Sequence, residues 1–457
     1  MRYIDKDLES IQEIRNLLLN GQMSFVHLQK YSQNDLDAVT STFINELLNN
    51  LDNYIPEFVE GNEYGVKEDE LFLCKHFLKR FNETLQNETY VGIIEGSTEN
   101  KVIEIGAPLG VVAVLLPSHP TFTLLVNVLL LAMKTGNSLI FIANKYSRTS
   151  TLESLKRLIS VSEQCGYPEG SITVSETVTD AGIAELFSSQ KVSLIINIGC
   201  PEYVTNTFVT NTPLIYGGDS SGPVFIERTA NIESAVRNVI HSRSFQNGIL
   251  PGAEQFLITE NVIADQIKDY MEANGAYVLN DEETEKLINF LKVSSKNING
   301  NYIGKPASWL AKMSGVSVPE DTKVLVSIQD YVNEEDFFSQ KLLCPIIVVY
   351  LEPDWTLACV KCMNLLEELR MGHTLTIHST DWKVIREFAL VKKVGRIVVN
   401  APTVCTATGI VSHFPTSLIL GGITTGRGYS SENITPKHLT YIRRVGFEFE
   451  KDINQRL

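Results

Sequence analysis

Positive charge is in short supply. The 457 residues include 39 Lys and Arg against 54 Asp and Glu, a formal net charge of −15. A chain this acidic, with a pI near 5.1, repels phosphate backbones and anionic lipid. Nucleic acid and membrane surfaces are therefore excluded as general partners. Cysteine is sparse as well. Its seven thiols, at 74, 165, 200, 344, 359, 362 and 405, are scattered over a long chain and make no disulfide framework. The opening stretch MRYIDKDLESIQEIRNLLL lacks the basic segment and apolar core of a secretory signal. The expected compartment is the cytoplasm, where the N-x-T sequons at Asn82 and Asn87 carry no meaning. The most apolar run, GVVAVLLPSHPTFTLLVNVLLLAMKTG, is broken by Pro117, Ser118, His119 and Pro120. It reads as a buried strand followed by a buried helix, not as a membrane span.

Ready-made ligand motifs are also missing. There is no GxxxxGK[ST] loop, no GxGxxG after the first strand of the sheet, no HExxH and no paired CxxC. No metal is expected. Cys359-Val-Lys-Cys362 is a lone CxxC inside an apolar helical run, and core packing is its expected role. The acidic run from Asp281 to Glu285 suits a helix N-terminus. His373 and His378, in GHTLTIH, have no partner at metal spacing and are expected to be structural.

What is present is order. The length favours two large lobes. The first eighty residues have helical periodicity, with segments at DLESIQEIRNLLLNG, 34–51 and 68–81. VGIIEGSTENKVIEIGAP, about 91–107, has the form of a hairpin. Near-continuous apolar strands alternating with helices follow, which implies an α/β fold built on a parallel sheet covered on both faces. Its default ligand site is the crevice at the carboxyl ends of the strands. A second lobe begins near Gly222, and HLTYIRRVGFEFE supplies a last strand. The expected division is 1–221, 222–420 and 421–457.

The ordered series KVIEIGAPLGVVAVLLPSHPT, YPEG, INIGC, YGGDSSGPVFIE, FQNG…EQ, LLCPIIVVY, GHTLTIH and SSENITPKHLTYIRRVG resembles the CoA-acylating branch of the aldehyde dehydrogenase superfamily. It is similar to the acetaldehyde dehydrogenase half of bifunctional aldehyde–alcohol dehydrogenases and to microcompartment acylating enzymes. The resemblance covers about residues 6–450. It implies a Rossmann-like nucleotide-binding lobe, a catalytic lobe, and a β oligomerisation flap made of the hairpin and the C-terminal strand. It also implies a dimer or higher assembly, because a flap of two strands needs a partner for its edge. The chemistry implied is attack of a cysteine thiolate on an aldehyde, hydride transfer to NAD(P), and acyl transfer to CoA.

The departures fall on the positions that do the chemistry. Phe245, Asn247, Gly248, Glu254 and Gln255 keep the family spacing F-x-N-G-x-x-C-x-x-E-Q, but the cysteine position is Pro251. Proline offers neither a nucleophilic atom nor a backbone N–H. The family's oxyanion asparagine falls nearest to His119, in a turn one residue shorter. The glutamate that grips the nicotinamide ribose corresponds to Lys341. Asn144 and Lys145 replace a P-H-P-like turn after the second sheet strand, and Cys200 replaces the second glycine of a T-G-G turn, after Gly199.

Asn144, Lys145, Gly199, Cys200 and Lys341 are the candidate cofactor contacts, toward NAD(P) or CoA. Lys145 and Lys341 could meet phosphates or simply lie in solvent. The leading expectation is a degenerate member, a pseudoenzyme that binds a ligand or serves as subunit in a homodimer, a larger homo-oligomer or a mixed oligomer with an active relative. The alternative is an active acylating dehydrogenase with a displaced nucleophile such as Cys200. A third course is different chemistry with His119 as acid or base, against His119 merely capping the helix that follows.

Overall fold

The computed structural model describes residues 5–85, 87–94, 102–204, 210–218, 220–294, 297–298, 300–332, 337–368, 372–422 and 429–446. The chain forms two compact units. One comprises Met1–Asn62, Leu71–Ile215 and Ile434–Leu457; the other comprises Glu63–Glu70 and Tyr216–Asn433. The divisions read from sequence were 221/222 and 420/421. The structural ones lie at Ile215/Tyr216 and Asn433/Ile434, and the short segment 63–70 joins the second unit.

The first unit opens with helices α1 (Lys6–Leu28) and α2 (Gln33–Asn62), with α3 (Lys67–Leu85) entering it from Leu71. Asp5 caps α1 by accepting from the N–H groups of Asp7 and Leu8. Helix α2 runs past Leu51, where periodicity alone ends it, and continues through Pro56. A proline there removes one backbone hydrogen bond and crowds the preceding turn. Tyr54, Ile55 and Phe58 are all buried on either side of it, so packing outweighs local preference.

A hairpin follows, with β1 (Gly92–Ile93) antiparallel to β2 (Val102–Pro108). Its polar turn lies outside the described residues. On its other edge β2 takes the C-terminal strand Thr440–Gly446, with Thr440 opposite Pro108 and Gly446 opposite Val102.

The main sheet of this unit is built from β3 (Val111–Leu115), α4 (Phe122–Thr135), β4 (Ser138–Ile142), α5 (Thr149–Gln164), β5 (Ile172–Ser175), α6 (Asp180–Ser188), β6 (Leu194–Ile198) and β7 (Leu214–Gly217). Its strand order is β5-β4-β3-β6-β7, and β3, β4, β5 and β6 run parallel. Every residue of β3, β4, β6 and α4 is buried. That accounts for the apolar run. It is β3 and α4, and each fully buried Leu or Val contributes about 1.5–3 kcal/mol. Among the described residues no helix is long and apolar enough to cross a membrane.

The second unit carries β8 (Pro223–Ile226), α7 (Ile232–Ser244), β9 (Phe256–Glu260), α8 (Ala264–Ala273), β10 (Ala276–Val278) and α9 (Asp281–Leu291). A two-stranded ribbon, β11 (Lys292–Ser294) and β12 (Asn297–Ile298), leads to α10 (Ala307–Ser314), β13 (Val324–Ile328), β14 (Ile346–Glu352) and α11 (Trp355–Met363). Then come β15 (Thr374–His378), α12 (Trp382–Val391), β16 (Arg396–Val399) and α13 (Thr403–Ala407), and the C-terminal strand is β17. The seven-stranded sheet is parallel throughout, in the order β10-β13-β14-β9-β8-β15-β16. The acidic run does begin a helix. Asn280 caps α9 and Glu283 reaches back to close a capping box.

Candidate functional site

The first unit holds His119, Asn144, Lys145, Gly199 and Cys200, all just beyond the carboxyl ends of β3, β4 and β6. Where parallel strands end, the backbone must turn to enter a helix and side chains gather. After β6, Gly199 takes φ +68°, a left-handed turn that glycine adopts without strain. Asn197 then clamps the next residue: its Oδ1 accepts from Cys200 N at 3.0 Å and its Nδ2 donates to Cys200 O at 2.9 Å. The Cys200 thiol turns inward. It is 1% exposed and donates to the Leu116 carbonyl at 3.1 Å. Asn144 points at it, with Nδ2 3.8 Å from Sγ, while its Oδ1 accepts from Tyr146 N at 3.0 Å.

Three of the predicted residues, Asn144, Gly199 and Cys200, thus come together. Lys145 is exposed, and its ammonium sits 5.4 Å from the centre of the Tyr146 ring. His119 is half-buried, with Nδ1 2.8 Å from Ser118 Oγ. The helix cap belongs to another residue. Thr121 is the N-cap residue of α4, and its Oγ1 accepts from Leu124 N at 3.1 Å.

The second unit holds Pro251 and Lys341. The bend before Pro251 is left-handed over three consecutive residues, Gln246 (φ +51°), Asn247 (φ +50°) and Gly248 (φ +76°). Such backbone costs about 1–3 kcal/mol at each non-glycine position and persists only when neighbours fix it. They do. Gln246 N donates to Asp69 Oδ2 at 2.8 Å, its Nε2 to Glu70 Oε2 at 2.7 Å, and its Oε1 accepts from Val66 N at 2.9 Å. Asn247 Nδ2 donates to Gly304 O at 2.8 Å. The segment 63–70 belongs to this unit because the bend holds it. Burial raises the Asp69 carboxyl above its usual range, and the Gln246 N–H only partly offsets this.

Pro251 sits in a half-buried turn between Leu250, which is buried, and Gly252 (φ +86°). Beyond it, Glu254 and Gln255 are both buried. Glu254 accepts a short hydrogen bond from Thr403 Oγ1, while its Oε2 has no hydrogen-bond partner among the described residues. Burial pushes this carboxyl up to about 7. Gln255 brackets the LLCP segment. Its Nε2 donates to Phe338 O and Gln340 O, each at 2.9 Å, and its Oε1 accepts from Leu342 N at 2.8 Å. Lys341 is therefore held by its two neighbours in sequence.

Sequence reasoning passed over Arg243. This side chain is fully buried, and its guanidinium donates to three main-chain oxygens, of Ile346 (2.9 Å), Ala253 (3.4 Å) and Leu342. The one available signal was an arginine on the apolar face of AVRNVIHSRS. Cys344 lies behind the bend, and burial pushes its thiol up to about 12. His373 and His378 are buried. His373 bonds Thr374 Oγ1 (2.8 Å) and Gly218 O (3.0 Å), as a structural histidine does.

At the end of β4, Asn144 and Lys145 supply an amide and a cation. The Lys341 ammonium can only donate. Among the described residues no group of three or more His, Cys, Asp or Glu side chains is arranged to hold a metal ion.

Comparison with known proteins agrees with the geometry. The aldehyde dehydrogenase family profile matches residues 60–287. Succinate-semialdehyde dehydrogenase (acetylating) of Clostridium kluyveri is 27% identical over 440 residues, 96% of each chain. Aldehyde-alcohol dehydrogenase of Clostridium acetobutylicum is 29% identical over 83% of this chain, which spans only 44% of that protein's length. An acetylating aldehyde dehydrogenase from Geobacillus thermoglucosidasius superposes with a TM-score of 0.91 at 30% identity, over 98% of this chain and 99% of the other. Two parallel-sheet units, a three-stranded antiparallel sheet completed by the C-terminal strand, and this similarity along nearly the whole length place the chain in the aldehyde dehydrogenase family.

Proposed function

We propose that this chain is a pseudoenzyme of the CoA-acylating branch, a ligand-binding or partner subunit without cysteine-based aldehyde chemistry. The observation that carries the proposal is the stretch from Arg243 to Gln255. It keeps every element of the family's active-site bend except the nucleophile, and the side chains of Arg243, Asn247 and Gln255 are committed to holding backbone. Pro251 cannot attack a carbonyl. The displaced-thiol alternative has less support, because Cys200 is buried and its S–H is given to Leu116 O.

The role left to the protein is occupancy. A nucleotide or CoA-like ligand would meet Asn144 and Lys145 through its adenosine phosphates. Self-association would run through the sheet of β1, β2 and β17, whose outer strand β17 is largely exposed. An active relative could complete a mixed oligomer over the same surface.

The test is a direct assay of purified protein with short-chain acyl-CoA and NADH or NADPH. No aldehyde release is expected. Turnover abolished by Cys200→Ala would replace this proposal with the displaced-thiol enzyme. Thermal shift with NAD(H), NADP(H) and CoA reports on ligand binding separately: a shift with at least one is expected, and none at all would leave the scaffold role alone. Co-purification with an active homologue distinguishes a mixed oligomer from a homo-oligomer.

A further inference from the structure

The lone CxxC takes no part in the site above, but one of its thiols has an unusual neighbour. Lys392 caps the C-terminus of α12 and is only 6% exposed. Its ammonium reaches Cys359 on α11 twice. Nζ lies 2.7 Å from the Cys359 carbonyl oxygen and 2.7 Å from Cys359 Sγ. The first contact is an ordinary charge-assisted hydrogen bond. The second is too close for one. Bonds from N–H to oxygen centre on about 2.9–3.0 Å, and the larger sulfur atom sets an N–H···S contact farther out still. The pair is also too far apart for a direct S–N bond. The separation matches a nitrogen and a sulfur joined through one small atom.

The surroundings favour chemistry at this pair over the disulfide that CxxC suggests. Cys359 is half-buried, whereas Cys362 is fully buried with its thiol pushed up to about 12, chiefly by burial. Thiolate is the reactive form, so Cys362 is the inert member of the motif. The lysine nitrogen also lies over the Phe388 ring, 4.8 Å from the ring centre.

We propose that Cys359 and Lys392 are an oxidative modification site that takes a hydroperoxide as oxidant and closes into an N–O–S cross-link between α11 and the end of α12. The step balances. The ammonium first gives a proton to solvent. Cys–SH, Lys–NH₂ and two molecules of H₂O₂ then yield Cys–S–O–NH–Lys and three of water. Sulfur and nitrogen are each oxidised by two electrons, the two O–O bonds break and accept them, and one peroxide oxygen remains as the bridge. The first half is the familiar oxidation of a thiol to a sulfenic acid. The inference is independent of whether the chain is a pseudoenzyme.

The test treats the full chain with hydrogen peroxide, digests it without reductant and weighs the peptides. The expected product joins the peptides bearing residues 359 and 392, with a mass of one oxygen more and two hydrogens fewer than their sum, and it is released by dithiothreitol. It should form equally in Cys362→Ser, and be absent from Cys359→Ser and from Lys392→Arg, which keeps a cation at the cap. Because the bridge closes a loop between residues 33 apart, the oxidised protein should melt about 5 °C higher than the reduced one. A Cys359–Cys362 disulfide, a sulfenic or sulfinic acid at Cys359 beside an unmodified Lys392, or no reaction at either residue overturns the proposal.

Discussion

Arg243 donates from Nε to the main-chain oxygen of Ile346 at 2.9 Å, joining the end of α7 to the start of β14. The same guanidinium serves Ala253 and Leu342, so one cation organises the backbone on both sides of the Pro251 turn. Burial lowers its pKa to about 10, which leaves it charged near neutrality. Arg243→Met fills similar space but strands three carbonyls. The expected loss is about 3–5 kcal/mol in urea unfolding, with Arg243→Lys recovering part of it. A loss below about 1 kcal/mol would mean that the bend is held by other contacts.

Restoring the nucleophile should not restore the enzyme. Pro251→Cys supplies a thiol, but on the proposed reading His119 still stands in place of the oxyanion asparagine and Lys341 in place of the ribose carboxylate. One missing oxyanion donor alone costs about 10²–10³ in rate. The acyl-CoA reduction assay should stay at background for this variant. Rates typical of an active acylating enzyme would show that proline is the sole defect.

Gly248 is needed for its lack of a side chain. It holds φ +76°, and a Cβ there would lie 2.9 Å from the Cys344 carbonyl oxygen. Gly248→Ala should destabilise the fold by about 2 kcal/mol or more, since both strain and a backbone clash are involved. Gly300→Ala, where a Cβ meets nothing within 4 Å, is the control and should stay within about 0.5 kcal/mol. Equal midpoints in urea for the two variants would contradict this account.

Stability should carry opposed pH dependences. Glu254 titrates near 7 in the folded chain against an ordinary 4.5, so its contribution is full below 4.5 and is lost as pH rises through 7. Burial pushes His378 down to about 4 from 6.5, so in that window the unfolded chain holds the extra proton and stability rises with pH. His373 is lowered too, by burial first and Arg396 second. Glu254→Gln removes the falling part. Relative to the parent chain it should gain up to about 3 kcal/mol between about pH 5 and about pH 8. Denaturation curves at the two pH values measure this, and a difference independent of pH would remove Glu254 as its source.

Much of the fold was legible because its signals are local or ordered. Buried parallel strands leave continuous apolar runs such as VVAVL and SLIFI, and the acidic run Asp281–Glu285 marks the start of α9. Other features depend on contacts distant in sequence. The extension of α2 through Pro56 rests on burial that periodicity does not record. The membership of 63–70 in the second unit rests on hydrogen bonds from Gln246, nearly two hundred residues away. At the candidate site, Pro251 could be read directly, as the third residue after Gly248 in a spaced pattern. The inward turn of Cys200 could not, because it follows from Asn197 and the carbonyl of Leu116. Arg243 was missed because a cation satisfied by main-chain oxygens leaves no partner residue to find.

The pairing of β17 with β2 also sets a timetable. Residues 440–446 close a sheet begun at 92–108, and Ile434 onward belongs to the first unit. On a ribosome that emits about 5–20 residues per second, domains tend to fold as they emerge. Here the unit that starts first is finished last. For many seconds after Pro108 has been made, β2 waits with an open edge, exposed to any neighbouring chain that can offer a strand. The second unit meanwhile has all its residues by Asn433. Nascent chains should therefore be most prone to mispairing in the interval between the synthesis of β2 and the arrival of β17.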